Sequence, residues 1–312
     1  MKYLVTGGAG FIGSNLTDEL LKSDCEVIVV DDLSSGYEGN LESHPNLQLL
    51  KTKIQDTDSG CFKGINGIFH LAAQASVPIS ITDFYSSSLN NIDSSLKIFE
   101  YAKIYNVPVV YASSSAIYGN LPVGDDEKQI YEILSPYAQD KLTIEKYAKL
   151  FYDIYKINSI GLRFFNVYGP RQDPTSPYSG VISVFVDKFL NKLPVQINGG
   201  YQTRDFIYVK DVVNVLILSM NHLFKNSKAD FINVGTGQSL SVKQLFDKLT
   251  ALMNYEPEII YNPLPDGEPE KSSGTFNKLN KILKFETSNI YNFEKGLTQT
   301  IEYIKGTINA KI

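Results

Sequence analysis

The chain has 312 residues with 43% hydrophobic and 20% charged content and a formal net charge of -5. That is enough for a large core, in one domain or two, and ordinary for a globular protein. An acidic balance argues against a nucleic-acid partner, and no apolar run reaches the length of a membrane span. The first strand-like residues start at Lys2, so no signal peptide is expected. Two cysteines, Cys25 and Cys61, give no disulfide framework, and no Cys/His cluster suggests a metal. The profile is that of a cytoplasmic protein without a resident metal.

The first half alternates in period. Short apolar runs at 3–6, 26–30, 47–50, 67–71 and 108–112 read as buried strands of a parallel sheet. Helical patterns lie between them at about 11–22, 86–105 and 136–156. The order predicts a doubly wound α/β fold, with ligand at the carboxyl ends of the strands. Between the first strand and first helix, Gly8-Ala9-Gly10-Phe11-Ile12-Gly13 has the spacing of a dinucleotide turn. Small residues there let backbone approach a pyrophosphate, and the helix N-terminus adds partial positive charge. Asp31 ends the second strand 18 residues after Gly13, where a carboxylate accepts from both ribose hydroxyls and repels a 2'-phosphate. The expected cofactor is therefore NAD and not NADP.

The fifth strand runs into Ser113-Ser114-Ser115, and 23 residues after Ser114 stands Tyr137, followed by Lys141. Among 20 tyrosines such a pair means little by itself; its place after the strand and at the start of a helix opened by Ser135-Pro136 carries the signal. Residues four apart share a helix face. An ammonium there favours an ionised phenol, whose free pKa of about 10 is too high for a base at neutral pH. A Ser114 hydroxyl can steady an oxygen that gains charge. The expected catalytic residues are Ser114, Tyr137 and Lys141. The histidines, His44, His70 and His222, are scattered and receive no catalytic role.

After Gly169-Pro170 the texture changes, with Gly/Pro-rich stretches near 174–180 and 262–274 enclosing a helical Val209–Leu223 and a strand-like Phe231-Ile232-Asn233-Val234. The expected division is a nucleotide-binding domain over 1–168, with 205–236 returning to it. A smaller α/β substrate domain takes 169–204 and 237–312. Of 29 basic residues only Arg163, Arg171 and Arg204 are arginine. A guanidinium fork binds phosphate oxygens in pairs, which makes each a candidate anion ligand. Arg163 stands inside a strand-like run and reads equally as half of a structural ion pair.

Thr6-Gly7-Gly8-Ala9-Gly10-Phe11-Ile12-Gly13, Asp31-Asp32-Leu33-Ser34-Ser35-Gly36, His70-Leu71-Ala72-Ala73, Ser114-Ser115-Ala116-Ile117-Tyr118-Gly119 and Arg163-Phe164-Phe165-Asn166-Val167-Tyr168-Gly169-Pro170-Arg171 occur in that order. With Tyr137 and Lys141 they resemble the extended short-chain dehydrogenase/reductases over almost the full length, and within them the nucleotide-sugar 4-epimerases of the UDP-glucose/UDP-N-acetylglucosamine type. The resemblance implies NAD held by Gly7, Gly10, Phe11, Ile12, Gly13, Asp31, Asp32, Ser35, Gly36, Lys53, Ile54, Leu71, Ala72, Ala73, Phe164 and Asn90 or Asn91, besides Tyr137 and Lys141. It implies a UDP-sugar against Ser76, Ser114, Tyr137, Asn166, Val181, Arg204 and Ser272, and a homodimer built on the helices near 86–105 and 136–156; Tyr101, Tyr105, Tyr147 and Tyr152 on these helices are compatible with such a face and equally with the core. The sugar is oxidised at carbon 4, turned and reduced on its other face.

Two departures stand out. Lys53-Ile54 replaces the family's Asp-Ile, and Pro265 stands where the family has a second diphosphate arginine, with Lys271 as the candidate substitute. Seven residues beyond that arginine's place, the family has a pocket-width position. Here it is Ser272, a small residue, which with Ala75-Ser76-Val77-Pro78 implies acceptance of a 2-acetamido sugar. Ser115 and Ala116 leave a 4,6-dehydratase or decarboxylase without its acid or base. A UDP-glucuronate 4-epimerase is the nearest alternative, and a non-catalytic NAD-binding protein a more distant one.

Overall fold

A computed structural model describes every residue except 177–178, 265–268, 287, 289 and 310–312. In chain order the strands are β1 (Lys2–Thr6), β2 (Glu26–Asp31), β3 (Leu47–Lys51), β4 (Gly67–His70), β5 (Val109–Ser114), β6 (Ser159–Phe164), β7 (Asn166–Tyr168), β8 (Val195–Asn198), β9 (Thr203–Tyr208), β10 (Ala229–Val234), β11 (Ser239–Ser241), β12 (Ile259–Asn262) and β13 (Lys271–Ser272). The helices are α1 (Phe11–Lys22), α2 (Val77–Thr82), α3 (Phe84–Tyr105), α4 (Pro136–Tyr155), α5 (Val181–Leu190), α6 (Val209–Leu223), α7 (Val242–Met253), α8 (Asn277–Leu283) and α9 (Phe293–Asn309).

Seven parallel strands form the main sheet in the order β10-β6-β5-β4-β1-β2-β3. Their Val/Ile runs are buried on both faces, as a parallel sheet covered by helices requires. One face packs α1 and α6 onto Val5, Val29, Val110 and Leu162. The other packs α3 and α4 onto Leu4, Ile28, Ile68 and Val109. Strand order reverses at β1, which pairs with β2 on one side and β4 on the other, so a crevice opens at the carboxyl ends of these strands.

The second layer is a smaller sheet, β11-β9-β13 with β7 on β9, beside the pair β8–β12. Phe185, Phe189, Phe246 and Leu249 of α5 and α7 fill its core. Strand β9 stays with the small sheet, and α6 with β10 carries the chain back to the large one.

Local chemistry fixes the helix that matters most. Ser135 caps α4 by accepting from the Ala138 N–H at 3.2 Å, and Pro136 occupies its first turn. Helix α3 ends on Asn106 in the left-handed region. Of the tyrosines that suited either a face or the core, Tyr101 and Tyr105 turn inward. Tyr101 is fully buried with its hydroxyl on the Thr57 carbonyl, and the Tyr105 hydroxyl bonds the Ser59 carbonyl. Exposed apolar residues of these helices include Phe84, Tyr85, Leu89 and Ile104 on α3 and Tyr147, Leu150, Ile154 and Tyr155 on α4. Among the described residues no helix is long and apolar enough to cross a membrane.

Candidate active site

The turn between β1 and α1 is shaped by its glycines. Gly7 has φ +67, and a side chain on it would meet the Ala72 backbone at 2.7 Å. A Cβ on Gly13 would lie 2.1 Å from the Gly7 carbonyl oxygen, so only glycine lets α1 start this close to the turn. Asp31, 7% exposed, accepts from the Ala9 N–H and the Leu33 N–H at 2.9 Å each. Its carboxylate thus staples the turn. Burial pushes its pKa up and those two N–H groups pull against it.

A pocket of about 60 Å³ beside Asp31 is lined by Gly7, Asp32, Lys53, Ile54, Ala72, Ala73 and Asn90. These residues fit the adenosine half of a dinucleotide: a carboxylate for the ribose, small residues at the pyrophosphate and Ile54 for an apolar ring. Asp32 lies in the same wall with one oxygen accepting from Ser34. Ser35 is exposed and lines neither pocket, and Gly36 packs against Asp31, where a Cβ would come within 2.8 Å of the carboxylate. Of the two candidate asparagines, Asn90 reaches the pocket. Asn91 is buried behind it, bonded to both backbone groups of Gln74 and to Asp140.

A larger cavity of about 740 Å³ begins at Phe11, Ile12, Leu71 and Ala73 and extends to Arg204 and Ser272. Ser114, Tyr137, Lys141 and Phe164 all line it, at the junction of the carboxyl ends of β5 and β6 with the start of α4. Tyr137 and Ser114 line the same stretch of this wall. Burial holds the Tyr137 phenol above its ordinary value, the Ser114 hydroxyl lowers it and the Asp140 charge raises it. Lys141 is 4% exposed; its Nζ sits 5.7 Å from the Tyr137 ring centre and donates to the Ala112 carbonyl at 2.9 Å. Burial brings it down to about 8, against the charges of Asp140 and Glu145. The ammonium is therefore held beside the phenol by β5. His70 is structural, as its lack of a catalytic role implied. It lies between the Thr6 and Ser95 hydroxyls, and burial, then Lys141, lowers it to about 3, which keeps it neutral.

The far end of the cavity belongs to the second layer. Asn166, Val181, Arg204 and Ser272 line it, with Lys271 beside them. Ser272 is paired with Arg204 across β13 and β9. The Arg204 guanidinium is steadied by the Thr203 and Pro269 carbonyls at 3.0 and 2.8 Å. Ser76 is placed differently from expectation: it caps α2 by accepting from the Ile79 N–H at 3.3 Å and stays out of the cavity, which its neighbours Ala75 and Val77 line. Pro265, in the place of the second arginine, lies outside the described residues.

The other two arginines are structural. Arg163 is fully buried, with Nε and Nη2 on Glu145 at 2.8 and 2.6 Å and Nη1 on the Tyr118 hydroxyl at 2.7 Å. Burial opposes its charge, but the Glu145 hydrogen bonds and charge prevail and hold its pKa above the usual range. Arg171 pairs with Asp18 of α1 at 2.7 Å. Sequence reasoning missed Gln172 and Phe206, which line the cavity and carry no motif, and Glu145, which also accepts from Ser113 at 2.6 Å. The i, i+4 spacing of Lys141 and Glu145 on α4 was the available signal.

The chain is similar to solved and curated proteins over nearly its whole length. A solved UDP-N-acetylglucosamine 4-epimerase from Methanobrevibacter ruminantium M1, in complex with UDP-N-acetylmuramic acid, is 36% identical with a TM-score of 0.91, and 98% of each chain is covered. A UDP-glucose 4-epimerase from Thermotoga maritima, solved with UDP-glucose, is also 36% identical at TM-score 0.91, covering 99% of this chain and 100% of that one. A curated UDP-glucose 4-epimerase from Mycolicibacterium smegmatis is 32% identical over 315 residues, covering 98% of this chain and 99% of its own. The profile of the NAD dependent epimerase/dehydratase family matches residues 3–235. With its glycine turn, its Asp31 and its Ser114-Tyr137-Lys141 wall, the chain belongs to the NAD-dependent epimerase/dehydratase family.

Proposed function

We propose that the chain interconverts the carbon-4 epimers of a UDP-hexose, with UDP-N-acetylglucosamine and UDP-N-acetylgalactosamine as its substrates and some activity on UDP-glucose and UDP-galactose. The observation that carries this reading is one continuous cavity with Ser114, Tyr137 and Lys141 at the dinucleotide end and Arg204 with Asn166 at the other. Tyr137 takes the proton of the 4-hydroxyl, and Ser114 donates to the oxygen as it becomes a carbonyl. NAD, which the glycine turn, Asp31 and Asn90 would hold, would supply the acceptor for the hydrogen on carbon 4. Lys141 adds a positive charge next to the phenol. The C–H and O–H bonds that break in the first half re-form in the second, on the opposite face, so the net reaction neither oxidises nor reduces. Arg204 and Asn166 hold the diphosphate while the ketone turns about it, and the open wall at Ser272 leaves room for that turn and for a 2-acetamido group.

The cofactor domain proposed from the sequence, 1–168 with 205–236, shrinks at its edges: β7 (Asn166–Tyr168) and β9 to Tyr208 pair within the smaller sheet and go with the proposed sugar domain of 169–204 and 237–312. The outward face of Leu89, Ile104, Tyr147, Leu150 and Ile154 is the proposed homodimer surface, since so many adjoining apolar side chains gain by burial. Light scattering at micromolar concentration should give twice the 34.9 kDa of one chain; the mass of a single chain removes this proposal. A cytoplasmic setting suits the two free cysteines.

A side-by-side assay of UDP-glucose, UDP-N-acetylglucosamine and UDP-glucuronate, with Ser272→Tyr alongside, tests the substrate. The parent should turn over the first two. Ser272→Tyr should lower kcat/KM for the N-acetylated sugar by at least about tenfold, the scale of a steric mismatch in a pocket, with UDP-glucose retained. Turnover of the glucuronate alone identifies a uronic-acid epimerase, and an unaltered N-acetyl activity in Ser272→Tyr removes the gate.

A further inference from the structure

Asn233, in β10, is fully buried and lies outside the wall of the cavity, yet every hydrogen-bonding group of its side chain is engaged. Its Oδ1 accepts from the Tyr118 hydroxyl at 2.8 Å. Its Nδ2 donates to the Gly124 carbonyl at 3.1 Å and to the Thr275 carbonyl at 3.0 Å. Its backbone N–H donates to Asp126 at 2.8 Å.

Gly124 and Thr275 belong to different segments, the loop that follows Gly119 and the stretch that follows β13. The two segments meet in a short parallel bridge: the Gly124 N–H donates to the Ser273 carbonyl and the Thr275 N–H to the Gly124 carbonyl, both at 2.9 Å. The Ser273 hydroxyl adds a bond to the Pro122 carbonyl at 3.0 Å. Leu121, Ser272 and Ser273 of this paired unit line the cavity, as do Val77, Pro78 and Ile81 of α2. An isolated two-stranded pairing is marginal in water, so so short a bridge needs an external anchor. Asn233 supplies one from β10, which is itself paired with β6 over six residues. Beyond Tyr118 the contacts continue to Arg163 and Glu145 of the catalytic helix.

We propose that Asn233 is a specificity-determining positioning residue: its amide pegs the 119–126 loop and the 271–275 segment together and thereby sets the distance of Ser272 and Ser273 from the opposite wall of the sugar pocket. The proposal rests on the UDP-sugar reading above. Without the peg the wall retreats, a hexose with a small 2-hydroxyl loses contact, and a 2-acetamido hexose fills part of the added space. The reacting groups are on other elements and keep their geometry.

Asn233→Asp preserves shape while turning the amide donor into an acceptor that faces two carbonyls. A lost hydrogen bond is worth about fivefold. The expected result is a KM for UDP-glucose raised at least about fivefold, a KM for UDP-N-acetylglucosamine changed much less, and kcat nearly unchanged for both. Ser273→Ala, which removes one cross-segment bond at the surface, should shift the KM ratio in the same direction by a smaller factor, and it decides the matter if Asn233→Asp does not fold. A fall in kcat with the KM ratio unchanged in the folded variants overturns the proposal and leaves the epimerase reading intact. Failure of the parent on both sugars overturns both.

Discussion

Tyr137→Phe lowers kcat by about 10²–10⁴-fold, the usual worth of a positioned general base, while the cofactor stays bound. The ring is buried, so the phenylalanine fills the same space and the wall of the cavity keeps its shape. What is lost is the one oxygen able to act as the base. Denaturing parent and variant should release NAD from each, because the Asp31 carboxylate stands where a 2'-phosphate would go. Turnover within threefold of the parent would show that another group takes the proton. Release of NADP would remove the role given to Asp31.

Glu145→Ala should destabilise the fold by about 3–5 kcal/mol, the cost of leaving one partner of a buried pair uncompensated. The Arg163 side chain is wholly inaccessible, and Glu145 supplies its only carboxylate partner among the described residues. The remaining Tyr118 and Tyr131 hydroxyls carry no compensating charge. Urea unfolding measures the effect. Replacing both partners together, Glu145→Leu with Arg163→Met, should recover most of the loss, since no orphaned charge then remains. A single-variant loss below about 1 kcal/mol would mean that the pair is not what ties α4 to β5 and β6.

Much of the cofactor half was legible because its constraints are local. A glycine turn needs particular residues at fixed offsets, and strand period, turn and Asp31 agree with one another over a short span of chain. The Ser114, Tyr137 and Lys141 grouping was legible for the same reason, since one strand end and one helix start place all three. Arg163 was not, because a residue inside a strand does not reveal whether its face meets a carboxylate or a ligand; that depends on Glu145 arriving from a different helix. Ser76 was misplaced by analogy of position: a serine ahead of Val77-Pro78 is a natural helix cap, and capping consumes its hydroxyl. Tyr101 and Tyr105 stayed open between surface and core because helical spacing gives a face but not its direction. The sugar end was least legible. Its sheet is assembled from strands as short as Lys271–Ser272, and their pairing is set by long-range contacts such as Gly124 with Gly274.

The central claim is that the hydrogen on carbon 4 leaves and returns within the cavity without meeting water. Incubating the protein with UDP-N-acetylglucosamine in deuterated water and following carbon 4 by NMR tests this most directly. The account predicts a mixture of the two 4-epimers with no deuterium at carbon 4 in either, and almost none formed by Tyr137→Phe. Deuterium at carbon 4 of the product would place a proton abstraction there instead and contradict the account.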